Sequence, residues 1–391
     1  MFWLVAMPPI SVSPQVVWKR TFELRERFER RIDRDFNRDV PDGKSDLFTR
    51  ARVGVEFEAG DGWSGAFQYQ LATDAIWTDA RNFSTQNSDA NLAFVRRREG
   101  GTTVTAGRQK IAFGSERLIG NLEWANVARA YDGVRVTTKT YDLFAARIGV
   151  SLPELPDAWV AGAVARWRGG ESMLVVKHDE PAGGDVDITT LAHRGSMKGA
   201  VDVEYEVALQ AGEVGSKDQR GWAVHVGGSR KLDARNRLLA EVNAASGGGD
   251  SNTVRTFDNL YPTNHNKYGT SDLQGWKNMN EWSVGFEHQL KPGATVSVTY
   301  HQFFLADAAD AWYGAGGAPN KRSGGVYLDP SGTSGKDVGS EWNLEASTKL
   351  SPSWSVAAGI SRFEPGGFIR ALNGGHGDAQ TWGYLSVQGR F

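Results

Sequence analysis

The chain has 391 residues, with 44 Lys and Arg against 46 Asp and Glu, a formal net charge of -2 and a mean hydropathy of -0.43. A total so near neutral says nothing by itself about partners, but the absence of Cys excludes disulfide scaffolds and thiolate metal sites. The longest helix-capable apolar run, Ala158 to Ala165, falls far short of the roughly 18 residues that a membrane-crossing helix needs, so any crossing must be made by strands.

At the start, Met1 to Met7 is apolar but carries no preceding Lys or Arg and is cut short by Pro8-Pro9, so residues 1–16 read as an N-terminal extension or residual signal region. From there, alternation of apolar and polar side chains with turn signals between them predicts strands near 17–31, 48–58, 63–72, 90–97, 102–111, 132–138, 141–150, 158–168 and 171–178. It continues at 187–194, 199–211, 220–229, 236–245, 280–290, 294–305, 339–350, 353–363 and 380–391. The segment Thr21 to Phe36 also fits a helix, with Leu24, Phe28, Ile32 and Phe36 at i, i+4 spacing. Its position beside the well-patterned Thr49 to Phe57 favours a strand. The clearest alternation sets Val201, Val203, Tyr205, Val207 and Leu209 against Asp202, Glu204, Glu206, Ala208 and Gln210, giving one apolar and one charged wall.

Connection lengths alternate too. Long ones are expected at 33–47, 73–89, 112–131, 246–279, 306–338 and 364–379, and tight ones at 59–62, 98–101, 169–170, 291–293 and 351–352. The connections at 151–157, 179–186 and 212–219 are intermediate, which leaves the strand count between 150 and 235 open. This is the pattern of an all-β, transmembrane, antiparallel up-and-down barrel of about 18 strands, with 16 the alternative, occupying 17–391 as one domain. Both termini would then be periplasmic. Trp63, Phe67 and Tyr69, Trp159 and Trp167, and Trp282 and Phe286 fall on the presumed lipid face as interfacial aromatics. A soluble all-β carbohydrate-binding protein is the alternative reading of the same alternation, and a general diffusion porin without a specific substrate is the alternative to a selective channel.

The polar wall of the first hairpin carries Arg25, Arg27, Arg31, Arg50 and Arg52, with Glu23, Glu29, Glu56 and Glu58 among them. A ladder of guanidinium forks in a water-filled channel would attract and pass carboxylates; cross-strand pairing that stiffens the wall is the bland alternative. The opposite arc, with Asp202, Glu204 and Glu206, is acidic. Enzyme motifs are missing: there is no Gly-x-Ser-x-Gly, His-Glu-x-x-His or dinucleotide fingerprint, and Gly43-Lys44-Ser45 has Arg38 where a phosphate loop needs its first glycine. A barrel lipase built on a Ser-His pair is the remaining enzyme reading. In the loops, Asp250, Asn252, Asp258, Asn259, Asn264 and Asp272 form a cluster in which Asp258 and Asp272 are candidate calcium ligands, though such a cluster is more often turn chemistry.

A further constellation is more specific. Gly107-Arg108-Gln109 is followed by Gly114-Ser115-Glu116-Arg117-Leu118-Ile119-Gly120, Trp124-Ala125-Asn126 and Arg129-Ala130-Tyr131-Asp132-Gly133-Val134-Arg135. With Phe257 to Pro262, His265, Tyr268-Gly269, Gly335 to Glu341 and Phe363 to Gly366, the chain resembles the alginate-export family of outer-membrane barrels from about Thr21 to Phe391. The resemblance implies an eighteen-stranded monomer in the bacterial outer membrane with an Arg-rich constriction that passes anionic polysaccharide outward. By the same analogy Arg108, Arg117, Arg129 and Arg135 line the lumen or constriction, restrained by Asp132 and Glu116. The expected partners are outer-membrane lipid and anionic oligo- or polysaccharide or small anions, with no nucleic acid, and with a periplasmic export partner left open. No cofactor is expected beyond calcium in the extracellular loops.

Overall fold

A computed structural model of the chain describes residues 16–77, 81–149, 158–181 and 184–391, without the side chains of 75–87. The expected N-terminal extension lies outside these residues but for Val16, which begins the first strand. Half of each predicted strand is apolar and half polar, and eighteen long strands result. They are β1 (Val16–Ile32), β2 (Lys44–Ala59), β3 (Trp63–Trp77), β4 (Arg81–Glu99), β5 (Thr102–Gln109), β6 (Tyr131–Thr137), β7 (Tyr141–Ile148), β8 (Trp159–Trp167) and β9 (Gly170–Asp179). The second half comprises β10 (Val186–Met197), β11 (Asp202–Val214), β12 (Lys217–Lys231), β13 (Asn236–Ala245), β14 (Met279–Lys291), β15 (Ala294–Phe304), β16 (Asp337–Lys349), β17 (Trp354–Pro365) and β18 (Gln380–Arg390). Each pairs antiparallel with its neighbours in sequence, and β1 pairs with both β2 and β18, so the sheet closes without an edge. At the seam Phe391 donates its N–H to the Phe22 carbonyl and accepts from the Phe22 N–H.

The ambiguous first segment is a strand. Pairing on both flanks satisfies its backbone in the sheet, which outweighs its helical propensity. Side-chain parity then sorts the barrel wall. Trp63, Phe67, Tyr69, Trp159, Trp167, Val207, Leu209 and Trp282 are exposed on the outside, whereas Glu206, Gln210 and Arg50 are buried inside. The apolar set therefore forms the lipid belt and the polar set lines the lumen.

The two chain ends lie on one side of the barrel with tight turns alone, and the long connections all lie on the other, together with the short turn at 215–216. Two expected connections are instead mostly strand. Residues 73–77 and 81–89 extend the β3–β4 hairpin, and 212–219 is a long hairpin turning at 215–216, because polar alternation continues beyond the belt where the hairpin needs no apolar face. The connection 366–379 holds the one short helix described, α1 (Gly367–Leu372).

The long loops do not project outward as a crown. Loops 110–130, 246–278 and 305–336 fold into the barrel mouth, where Ile111, Leu118, Ile119, Phe257, Tyr268, Trp276 and Trp312 pack with wall residues such as Phe144, Val160 and Val175 in a buried core. Burying each of these large apolar side chains stabilises the loop by roughly 1.5–3 kcal/mol, enough to hold segments that have little secondary structure. The backbone contributes strain in return. Six non-glycine residues of the first two loops have positive φ: Glu116, Leu122, Leu260, Asn266, Asp272 and Asn278. Gly269, at φ +82°, has no alternative, since a Cβ there would stand 2.6 Å from the Glu341 carboxylate.

Candidate functional site

Strands β1 and β2 run in a register that places Arg25 directly opposite Arg50, and Glu23 opposite Arg52, all pointing inward. Like charges face to face repel, and the sequence supplies one carboxylate nearby on the wall. Glu23 Oε1 accepts from Arg50 Nη2 at 2.8 Å and lies 3.4 Å from Arg52 Nη1, while its Oε2 meets Arg390 Nε at 3.1 Å. The remaining compensation comes from loop 110–130. Arg25 donates to the carbonyls of Glu123 and Ala125, both at 2.9 Å, and Arg50 donates to the same two oxygens at 3.0 and 3.2 Å. The Glu123 carboxylate is 2.9 Å from Arg52 Nη1 and 3.4 Å from Arg50 Nη2 on one oxygen, and 3.1 Å from Lys110 Nζ on the other. Burial alone would raise the Glu123 carboxyl, but Lys110, Arg52 and Arg50 overcome it and hold the group at about 2. Burial likewise pushes the Lys110 ammonium down, to about 8, against the pull of Glu123.

One residue further along the loop, Arg27 donates to the Trp124 carbonyl and lays its guanidinium 4.1 Å over the Trp124 ring. The opposite face of that ring stacks on His265 at 3.8 Å, and Asp272 binds His265 Nδ1 at 3.0 Å. Asn126 anchors the loop tip through the Thr73 carbonyl at 2.8 Å. The result is a constriction with open space on both sides along β1 and β2. A cavity of about 500 Å³ on the loop side is lined by Arg27, Glu29, Phe48, Trp124, His265 and Asp272. A second, of about 360 Å³ on the turn side, is lined by Lys19, Glu56, Glu58, Ser64, Phe94 and Arg96. Arg25, Arg50, Arg52 and Lys110 lie between them.

A family model for alginate export matches residues 19–148 and 168–381, most of the chain and every residue of this constriction but Arg390. The chain belongs to the alginate-export family. It is an outer-membrane β-barrel porin. Solved porins of Pseudomonas aeruginosa share the fold: OprD at 13% identity, over 96% of this chain and 93% of that one with a TM-score of 0.61, and OccK2 (OpdF) at 12%, over 96% and 97%, also 0.61. OccK2 has also been solved with glucuronate, and that structure matches with a TM-score of 0.58 at 12% identity, over 96% of both chains. None of the curated proteins compared matches the chain in sequence.

Within this alginate-export barrel the residues singled out from sequence separate into three groups. Arg25, Arg27, Arg50 and Arg52 come together at the constriction, as the alternation predicted. Arg117, Arg129 and Glu116 sit where loops 110–130 and 246–278 are tied to each other and to the far wall. Arg117 meets Tyr268 Oη at 3.0 Å, His225 Nε2 at 3.2 Å and Glu241 at 3.2 Å; Arg129 donates to the carbonyls of Gly120 and Pro262 at 3.0 Å. Glu116 accepts from Thr263 Oγ1 at 2.6 Å and from the Asn121 N–H at 2.9 Å, so it restrains loop backbone and not a guanidinium. Arg135 points into the lumen in a bidentate pair with the buried Asp142 at 2.8 and 2.7 Å.

Arg108 is the exception. It shares parity with Val104, which is exposed on the outer face, whereas Thr105 and Gln109 are buried inside. Asp132, directly opposite it, shares the outer face with Val134. Their bidentate pair, 2.7 Å at both oxygens, with Asp89 at 2.6 Å, is therefore on the outside of the barrel, and the expectation that Arg108 and Asp132 line the lumen is corrected. Asp258 is bound by Lys177 Nζ at 3.0 Å, and Asp272 by His265, so each of these two carboxylates already has a protein partner. Among the described residues no three His, Asp or Glu side chains converge as a metal-holding group. Glu123, Lys110 and His265 were not singled out as site residues. Nothing in their spacing tells that a loop folds inward; only the Trp-Ala-Asn motif beside Glu123 marked the place.

Proposed function

We propose that the chain is a passive, anion-preferring channel for saccharides or other solutes that carry carboxylates, with both termini in the periplasm. The carrying observation is the axial sequence along β1 and β2: a cavity, then Arg25, Arg50, Arg52 and Lys110, then a second cavity. A solute crossing between the cavities passes four cations and the two carboxylates Glu23 and Glu123, so the local balance favours negative charge. Arginine forks match the planar carboxylate, and no bond is made or broken. The glucuronate complex of the similarly folded OccK2 supports a uronate-sized substrate. The inward loops narrow the mouth, which favours small acidic saccharides over a polymer; export of an alginate-like chain is the second reading, and it rests on the family. No catalytic role is assigned.

Purified protein in planar bilayers under a salt gradient tests the reading. The reversal potential is expected to show anion preference. Cation preference, or no conductance, overturns it.

A further inference from the structure

The cations of the constriction are incompletely used. Among the described residues Arg25 has no carboxylate partner and its buried Nε makes no hydrogen bond, and Arg52 Nη2 is likewise buried without an acceptor. Both side chains are only 5% exposed. Four guanidinium and ammonium groups thus surround Glu23 and Glu123, and leave donors unmatched where a buried polar atom ordinarily finds a partner. The two carboxylates differ in one decisive respect. The Glu23 side chain is 11% exposed and held on the wall strand, whereas that of Glu123 is 43% exposed, on a loop, at the surface of the lumen.

We propose that Arg25, Arg50, Arg52 and Lys110 form a carboxylate-binding subsite whose resident anion is the Glu123 side chain, and that a permeating carboxylated solute takes its place. The inference rests on the channel reading above. Exchange requires only the Glu123 side chain to swing into the lumen. The backbone beneath it stays, because Arg25 and Arg50 also hold the Glu123 and Ala125 carbonyls, Asn126 is tied to Thr73, and Arg129 bonds Gly120 and Pro262. With Glu123 withdrawn, four cations would face Glu23 alone, a costly state in a partly desolvated site. The subsite therefore releases its own carboxylate when another arrives, and the solute inherits the donors on Arg52 and Lys110. The very low proton affinity of Glu123 is consistent with this, since the resident remains an anion throughout the physiological range. Neutral sugars have nothing to offer the cluster and do not displace it.

Concentration-dependent block of chloride current by sodium glucuronate, with glucose as the neutral control, tests the exchange in the intact protein and in Glu123→Gln and Glu123→Asp. Gln keeps the shape of the side chain and removes its charge. Glucuronate is expected to block Glu123→Gln at roughly tenfold lower concentration than the unaltered channel, a change equivalent to one charge-assisted contact, with Glu123→Asp close to unaltered and glucose without effect in all three. Equal glucuronate block in the unaltered and Gln channels, or equal shifts for glucose and glucuronate, would overturn the exchange while leaving the channel reading intact. Absence of a channel in the unaltered protein would sink the channel reading and the exchange with it.

Discussion

Two arcs of the same lumen use charge in opposite ways. On the arc from β6 to β13 the ion pairs close on the wall or through one loop contact. Asp142 takes Arg135 and Arg166, Glu171 takes Arg166 and Arg194, and Glu241 takes Arg117. On the β1–β2 arc, register sets Arg against Arg, and the compensation has to be imported from loop 110–130 through Glu123 and three successive carbonyls. The difference teaches that density of charge is a poor guide to a binding surface. An arc whose ions are closed among themselves is scaffold, and an arc that borrows its counter-charge from a half-exposed loop side chain can lend it to a ligand.

Removing Arg50 should break this contrast most severely. Arg50 is 1% exposed and holds Glu23 and the loop at once, so Arg50→Ala removes the shortest contact of a buried carboxylate and one of the two guanidinium groups that grip the loop carbonyls. We expect a loss of about 3–5 kcal/mol, read as a lower midpoint for the heat-induced mobility shift of the barrel in detergent; an unchanged midpoint would show that the loop does not depend on this arc. A smaller effect comes from pH. Lys110 faces Glu123, Arg50 and Arg52, and with its ammonium brought to about 8 it is largely charged at pH 7 and largely neutral at pH 9. Anion preference should therefore fall as pH rises through that window, and Lys110→Arg should make the reversal potential flat across it. Smallest of all, Arg108→Ala should leave the reversal potential within error of the unaltered channel, because its guanidinium lies on the outer face. A clear drop in anion preference would return Arg108 to the lumen.

The barrel was legible because alternation, turn chemistry and connection length are local and agree with one another. The wall residues Arg25, Arg27, Arg50 and Arg52 followed from it directly. The position of Arg108 was legible too: Val104 and Ala106 share its parity, and Asp132 shares that of Val134 and Val136, so alternation puts the pair outside where the motif resemblance put it in the lumen. Glu123 and Lys110 could not have been found this way. Whether a polar loop turns outward to water or inward to a row of cations is decided by contacts almost a hundred residues apart, such as Arg25 with Glu123.

The face-to-face placement of Arg25 and Arg50 also bears on how the protein is assembled. In a β1–β2 hairpin formed alone only Glu23 offsets the facing Arg25 and Arg50, and the rest of the compensation arrives with a loop that lies beyond β5. Correct insertion of that loop thus lowers the energy of the first hairpin directly, so a barrel closed with the loop left outside would keep an unsettled seam. The row of arginines would thus favour the barrel with its loop inside over one with the loop left out.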